Sequence, residues 1–137
     1  MRLLSVILLF TLSVVAFAEE KPVAPPFSKA VKVGNMLYLS GELGIKPGMP
    51  GLVPGGIGPE TRQTMENIKA TLEANGSSMD RVIKCLVMLA DIKEWAAMNE
   101  VYRTYFSGRF PARSAMGASG LALGARVEIE CMAEVDG

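Results

Sequence analysis

The chain has 137 residues, is 50% hydrophobic, balances 14 basic against 14 acidic residues, and contains no histidine. That length and apolar content suffice for one domain with a core of its own, and the basic residues, scattered singly, offer no surface for nucleic acid. The missing histidine excludes a Ser-His-Asp triad, a paired-histidine zinc site and histidine-mediated RNA cleavage.

Residues 1–18 read as an export leader. Arg2 gives a short positive start, residues 3–17 are almost all apolar, and Ala16-Phe17-Ala18 has the small-x-small form of a cleavage site. The apolar run falls short of the roughly 18 to 20 residues that a spanning helix needs, and Thr11 and Ser13 interrupt it. The expectation is cleavage after Ala18, a periplasmic or secreted product without membrane attachment, and a single domain over residues 19–137. Cleavage removes one basic residue, Arg2, and leaves a net charge of −1.

Within the domain, residues 19–28 carry three prolines and form an extended lead-in. Residues 30–33 and 36–40 are strand-like and separated by Gly34-Asn35, a hairpin signal. The Gly- and Pro-rich stretch from Gly41 to Pro59 is loop, with a brief strand at Leu52-Val53. A first helix covers residues 60–74, with Met65, Ile68 and Leu72 on one face and Asn75-Gly76 as its stop. Residues 82–89, apolar except for Lys84, form a central strand.

A second helix follows, opened by an Asp91 and Glu94 capping box and ended by Gly108. Its stripe of Trp95, Met98, Tyr102, Tyr105 and Phe106 reads as core. Residues 113–118 and 126–133 are the last two strands. Helices that return the chain to a sheet imply an α+β fold, two helices on one face of a mixed sheet. Nothing in the chain is left to cover the other face, so neighbouring copies in a closed symmetric oligomer are expected to do so. Cys85 and Cys131 occupy apolar strand positions, where two buried thiols are favoured and a disulfide stays open.

Alternation along the last two strands puts Arg113, Ala115 and Gly117 on one face and sets Glu128 and Glu130 opposite Val127, Ile129 and Cys131. If these strands pair as a hairpin whose partner numbers sum to an odd value, Arg113 and Glu128 border one floor of small residues, with room for a small ligand. The same pattern also fits a cross-strand ion pair.

The stretch "FPARSAMGASGLALGARVEIE" resembles the signature of the RidA/YjgF family of imine deaminases, also described as the endoribonuclease L-PSP or translation-inhibitor family. The resemblance runs upstream through "FSKAVKVGNMLYLSGELG" and "TRQTMENIKATLEANGSSMDRVIKCLVMLADIKEWAAMNEVYRTYF" and so spans nearly all of residues 19–137. It implies a homotrimer of chorismate-mutase-like α+β subunits with active sites in the clefts between them. It also implies that Arg113 grips a substrate carboxylate and that Glu128 positions or activates water. Asn99 and Gly41 match cleft residues of the family. Phe27 stands where many deaminating members carry tyrosine, and Ala115 where they carry cysteine.

The implied reaction is hydrolysis of a 2-imino acid, the tautomer of an enamine such as 2-aminoacrylate, to a 2-keto acid and ammonia, with no cofactor and no metal. The expected partners are further copies of the chain and a small 2-imino or 2-keto acid ligand. Two other readings remain: a non-catalytic trimer that binds small carboxylates or shields unfolded partners, and an endoribonuclease.

Overall fold

The computed structural model describes residues 24–136, and the expected leader lies outside them. The elements are β1 (Ala30–Val33), β2 (Met36–Leu39), β3 (Glu42–Leu43), α1 (Ile57–Ala74), β4 (Val82–Leu89), α2 (Trp95–Tyr102), β5 (Ala112–Gly117) and β6 (Val127–Glu134). They form one mixed sheet in the order β1-β2-β6-β4-β5, with β3 also paired to β6 and only the β4–β5 contact parallel. This is the expected α+β layer. Gly34 adopts a φ of 60° at the β1–β2 turn, a conformation that costs glycine little.

The core lies between the sheet and the helices. Met65, Ile68 and Leu72 of α1 are fully buried, as the three-and-four spacing required, against Val87, Leu89, Val127 and Ile129. Each such side chain contributes about 1.5 to 3 kcal/mol of transfer free energy. A buried carboxylate pins the layers: Glu60 accepts from the backbone N–H groups of Arg126 and Val127, where β6 begins. The opposite face of the sheet is open in the single chain and carries Val31, Val33, Tyr38 and Met116, each at least 42% exposed. No helix among the described residues is long and apolar enough to cross a membrane.

Three local expectations need correction. The strand expected at Leu52-Val53 reduces to a single bridge, Ile45 to Leu52, while β3 forms earlier, beside β6. Pro47, Pro50 and Pro54 deny that loop the amide donors a ladder needs. The capping box is half made. Asp91 accepts from the Lys93 N–H at 3.0 Å, but the Glu94 carboxylate is held by Arg126 instead of turning back. And α2 is shorter than its apolar stripe, tightening into a 3-10 turn over Arg103–Tyr105.

The larger correction concerns β5 and β6, which do not pair. β4, the most apolar strand, lies between them, parallel to β5 and antiparallel to β6. The connecting loop wraps over the end of β4, where the Ala118 N–H donates to the Leu89 carbonyl and the Ala90 N–H donates to that of Arg126.

Cys85 and Cys131 are register partners across β4 and β6, each 1% exposed, and are joined by a disulfide. The bridge overturns the expectation of two buried thiols. Direct cross-strand neighbours bring their Cβ atoms close, and register cannot be read from a separation of 46 residues. Closing a loop of that length is worth about 2 to 4 kcal/mol. Reduction, or a Cys85→Ala and Cys131→Ala double variant, should lower the urea midpoint accordingly. An unchanged midpoint with two titratable thiols in the untreated protein would contradict the bridge.

Candidate active site

Strand parity decides which side chains can meet. Arg113 is the register partner of Cys85, which partners Cys131, and residues in one row of a sheet share a face. Arg113 therefore points to the helix side. There α2 presents Trp95, Asn99 and Tyr102 at intervals of four and three, along one face of the helix. Arg113 Nη1 donates to Asn99 Oδ1 at 2.6 Å, and the guanidinium lies 4.9 Å from the ring centroid of Tyr102 and 5.7 Å from that of Trp95. Among the described residues no carboxylate forms an ion pair with it.

A guanidinium carries five N–H donors, and Asn99 engages one group of them while fixing the plane of the fork. The aromatic faces stabilise the cation by about 0.5 to 1 kcal/mol each without consuming a donor. The result is a charge held in place with hydrogen-bonding capacity in reserve, facing a cleft of about 500 Å³ whose other walls include Phe110 and Pro111. A planar anion is what such a fork binds best.

The other half of the expected site lies on the opposite side of the sheet. Glu128 partners Met88 of β4 and Leu43 of β3, and Met88 partners Met116 of β5. That row faces away from the helices, so Arg113 and Glu128 do not share a floor within one chain. The odd-sum hairpin that would have joined them is ruled out by the position of β4. Gly41 adjoins Glu128: a Cβ there would overlap the Glu128 carboxylate, and glycine is what lets the carboxylate lie against the backbone. Phe27, 60% exposed, lines a separate cleft of about 390 Å³ together with Gly41, Lys29 and Asn67. Ala115 shares the Arg113 face but packs against the core near Val87 and does not line the Arg113 cleft.

The residues thus divide into two groups, Arg113 with Asn99 and Glu128 with Gly41 and Phe27. Reading the α2 stripe as core missed Trp95, which is 45% exposed, and the contact of Tyr102 with the guanidinium. The signal was available: Trp95 and Tyr102 flank Asn99 on one helical face. No group of three or more His, Cys, Asp or Glu converges as a metal site among the described residues.

Burial pushes the Tyr102 phenol up to about 12, with Arg113 pulling weakly the other way, and its hydroxyl is buried without a partner. Burial and the hydrogen bond to Glu66 push Tyr105 up to about 12 as well. For both groups the neutral form is favoured by folding, so their contribution is complete below 10.0, the ordinary value, and is lost as pH rises through about 12. Tyrosinate absorbance should therefore show these two of the three tyrosines ionising near pH 12, with stability falling across the same window. Ionisation of all three near pH 10 in the folded protein would contradict this packing.

The sequence and fold place the chain among known proteins. The family model described as Endoribonuclease L-PSP matches residues 18–135. A mouse protein named 2-iminobutanoate/2-iminopropanoate deaminase is 43% identical over 108 residues, covering 79% of this chain and 80% of its own. The crystal structure of RidA from an Antarctic Psychrobacter is 40% identical with a TM-score of 0.78, covering 82% of this chain and 91% of that one. The Escherichia coli TdcF structure with bound serine is 28% identical with a TM-score of 0.78, covering 83% and 91%. With Arg113 and Glu128 in the stretch that first suggested the resemblance, the chain belongs to the endoribonuclease L-PSP family, the RidA/YjgF group.

Proposed function

We propose that the protein hydrolyses 2-imino acids to 2-keto acids and ammonia, in a cleft completed by a second copy of the chain. The observation that carries this reading is the Arg113 guanidinium, oriented by Asn99, unpaired with any described carboxylate and open to a cleft whose lining includes Trp95, Phe110 and Pro111. The name of the mouse relative supports the reaction class. The exposed apolar face of the sheet and the division of site residues between its two sides support a homotrimer, in which Glu128, Gly41 and Phe27 of one copy meet Arg113 and Asn99 of the next.

In this reading Arg113 takes the substrate carboxylate bidentately and fixes the imine carbon. Glu128 holds a water against that carbon and accepts its proton as the C–O bond forms, giving a tetrahedral carbinolamine. The imine enters with its nitrogen protonated; Glu128 returns the water proton to the carbinolamine nitrogen, the C–N bond breaks to release ammonia, and the hydroxyl proton passes to Glu128 or water as the keto group forms. Phe27 offers no hydroxyl, so proton relay falls to Glu128 and water. Export after cleavage at Ala18 would place this chemistry in an oxidising compartment, where the Cys85–Cys131 bridge persists. Recovery of both cysteines as thiols from the native host would contradict that placement.

The test is 2-keto acid formation from 2-imino acids generated in place by an amino-acid oxidase and intercepted with semicarbazide. Arg113→Ala and Glu128→Gln should each lower kcat/KM by about a hundredfold or more with the fold retained. Gly41→Ala, which displaces the Glu128 side chain, should lower kcat more than it raises KM. Ligand binding that depends on Arg113 with no acceleration by the parent protein would replace the enzyme reading with that of a binding module.

A further inference from the structure

The Arg113 cleft is built for more than a carboxylate. Within one chain this open cleft measures about 500 Å³, more than the smallest 2-imino acids fill. Two of the side chains lining it are exposed rings, Trp95 at 45% and Phe110 at 53%, beside Ala96 and Pro111, with the charged Glu100 and Arg103 in the same lining. The Trp95 ring lies 5.7 Å from the Arg113 guanidinium. Trp95 begins α2 one turn before Asn99, and Phe110 sits edge-on to the buried Phe106 at 6.1 Å, between Phe106 and the fixed φ of buried Pro111. Two rings left half in water offer apolar surface to a ligand, and an aromatic side chain has few rotatable bonds to immobilise.

We propose that this cleft selects 2-imino acids with large apolar or aromatic side chains, and that Trp95 and Phe110 set that choice. The inference rests on Arg113 as the carboxylate receptor. A substrate held there by its carboxylate places its side chain in the space the two rings bound. A methyl or ethyl substituent leaves those rings in contact with water, whereas a phenyl or isobutyl group covers them. The surface covered supports a preference of about ten- to a hundredfold in kcat/KM.

The experiment compares imino acids generated from phenylalanine and leucine with those from alanine and 2-aminobutyrate. The large ones should be favoured at least tenfold, and Phe110→Ala and Trp95→Leu should each cut that ratio by about tenfold. A preference for the small imino acids, or a ratio unchanged in both variants, overturns the proposal and leaves the deaminase reading standing. If no imino acid is turned over, the deaminase reading falls, and selectivity is decided by binding. Trp95 is the single tryptophan of the chain, so its fluorescence, checked by calorimetry, reports occupancy of this cleft. A Kd for 4-methyl-2-oxopentanoate at least tenfold below that for 2-oxobutanoate, abolished in Phe110→Ala, sustains the selectivity; equal affinities overturn it.

Discussion

The insertion of β4 between β5 and β6 governs the rest of the molecule. A strand's side chains alternate strictly, so once β4 fixes both registers, every residue of β5 and β6 is committed to one face. Cys85 in the middle row ties this arrangement covalently to Cys131 and stands beside Arg113. A slip of one residue on either side of β4 would turn Arg113 out of its place between Trp95 and Tyr102, or turn Glu128 into the core. The disulfide, the buried Glu60 carboxylate on β6 and the loop bonded to both ends of the Leu89-Ala90 step all resist such a slip.

This commitment separates the candidate site residues into two groups. On the helix side, a guanidinium is held by one amide oxygen and two aromatic faces, its remaining donors aimed at a cleft. On the other side, the Glu128 carboxylate, carried by the central strand β6, rests against the Gly41 backbone. Within one chain the two groups lie on opposite faces of the sheet and cannot pair with each other. In the proposed trimer the apolar face is buried by the same association that brings the two groups together, so assembly and site formation become one event.

Much of this was legible in the residues. The spacing of Met65, Ile68 and Leu72, the Gly34-Asn35 turn and the apolar run at 82–89 each specified an element through local rules; the turn and the strand formed where expected, and α1 begins at Ile57 rather than Glu60, inside the stretch read as loop. What was not legible depended on pairing. Alternation put Arg113 with Ala115 and Glu128 with Glu130, but not which pair faced the helices relative to the other, because β4 rather than a hairpin relates the two strands. The same missing register hid the Cys85–Cys131 bridge. Trp95 departs from the core for a different reason. A helical apolar stripe reports one continuous face, and α2 turns part of that face toward β5 and solvent rather than toward the core.

The central claim is that Arg113 and Glu128 act together only across two copies of the chain, and subunit mixing tests it most directly. Arg113→Ala and Glu128→Gln proteins, each inactive alone, would be unfolded together, refolded at equal amounts and assayed for 2-imino acid hydrolysis. A shared site predicts recovery to about a quarter of the parent activity, because that fraction of clefts receives its arginine and its glutamate from unaltered positions. No recovery in mixed oligomers of verified composition would contradict the account and place the reacting groups within a single chain.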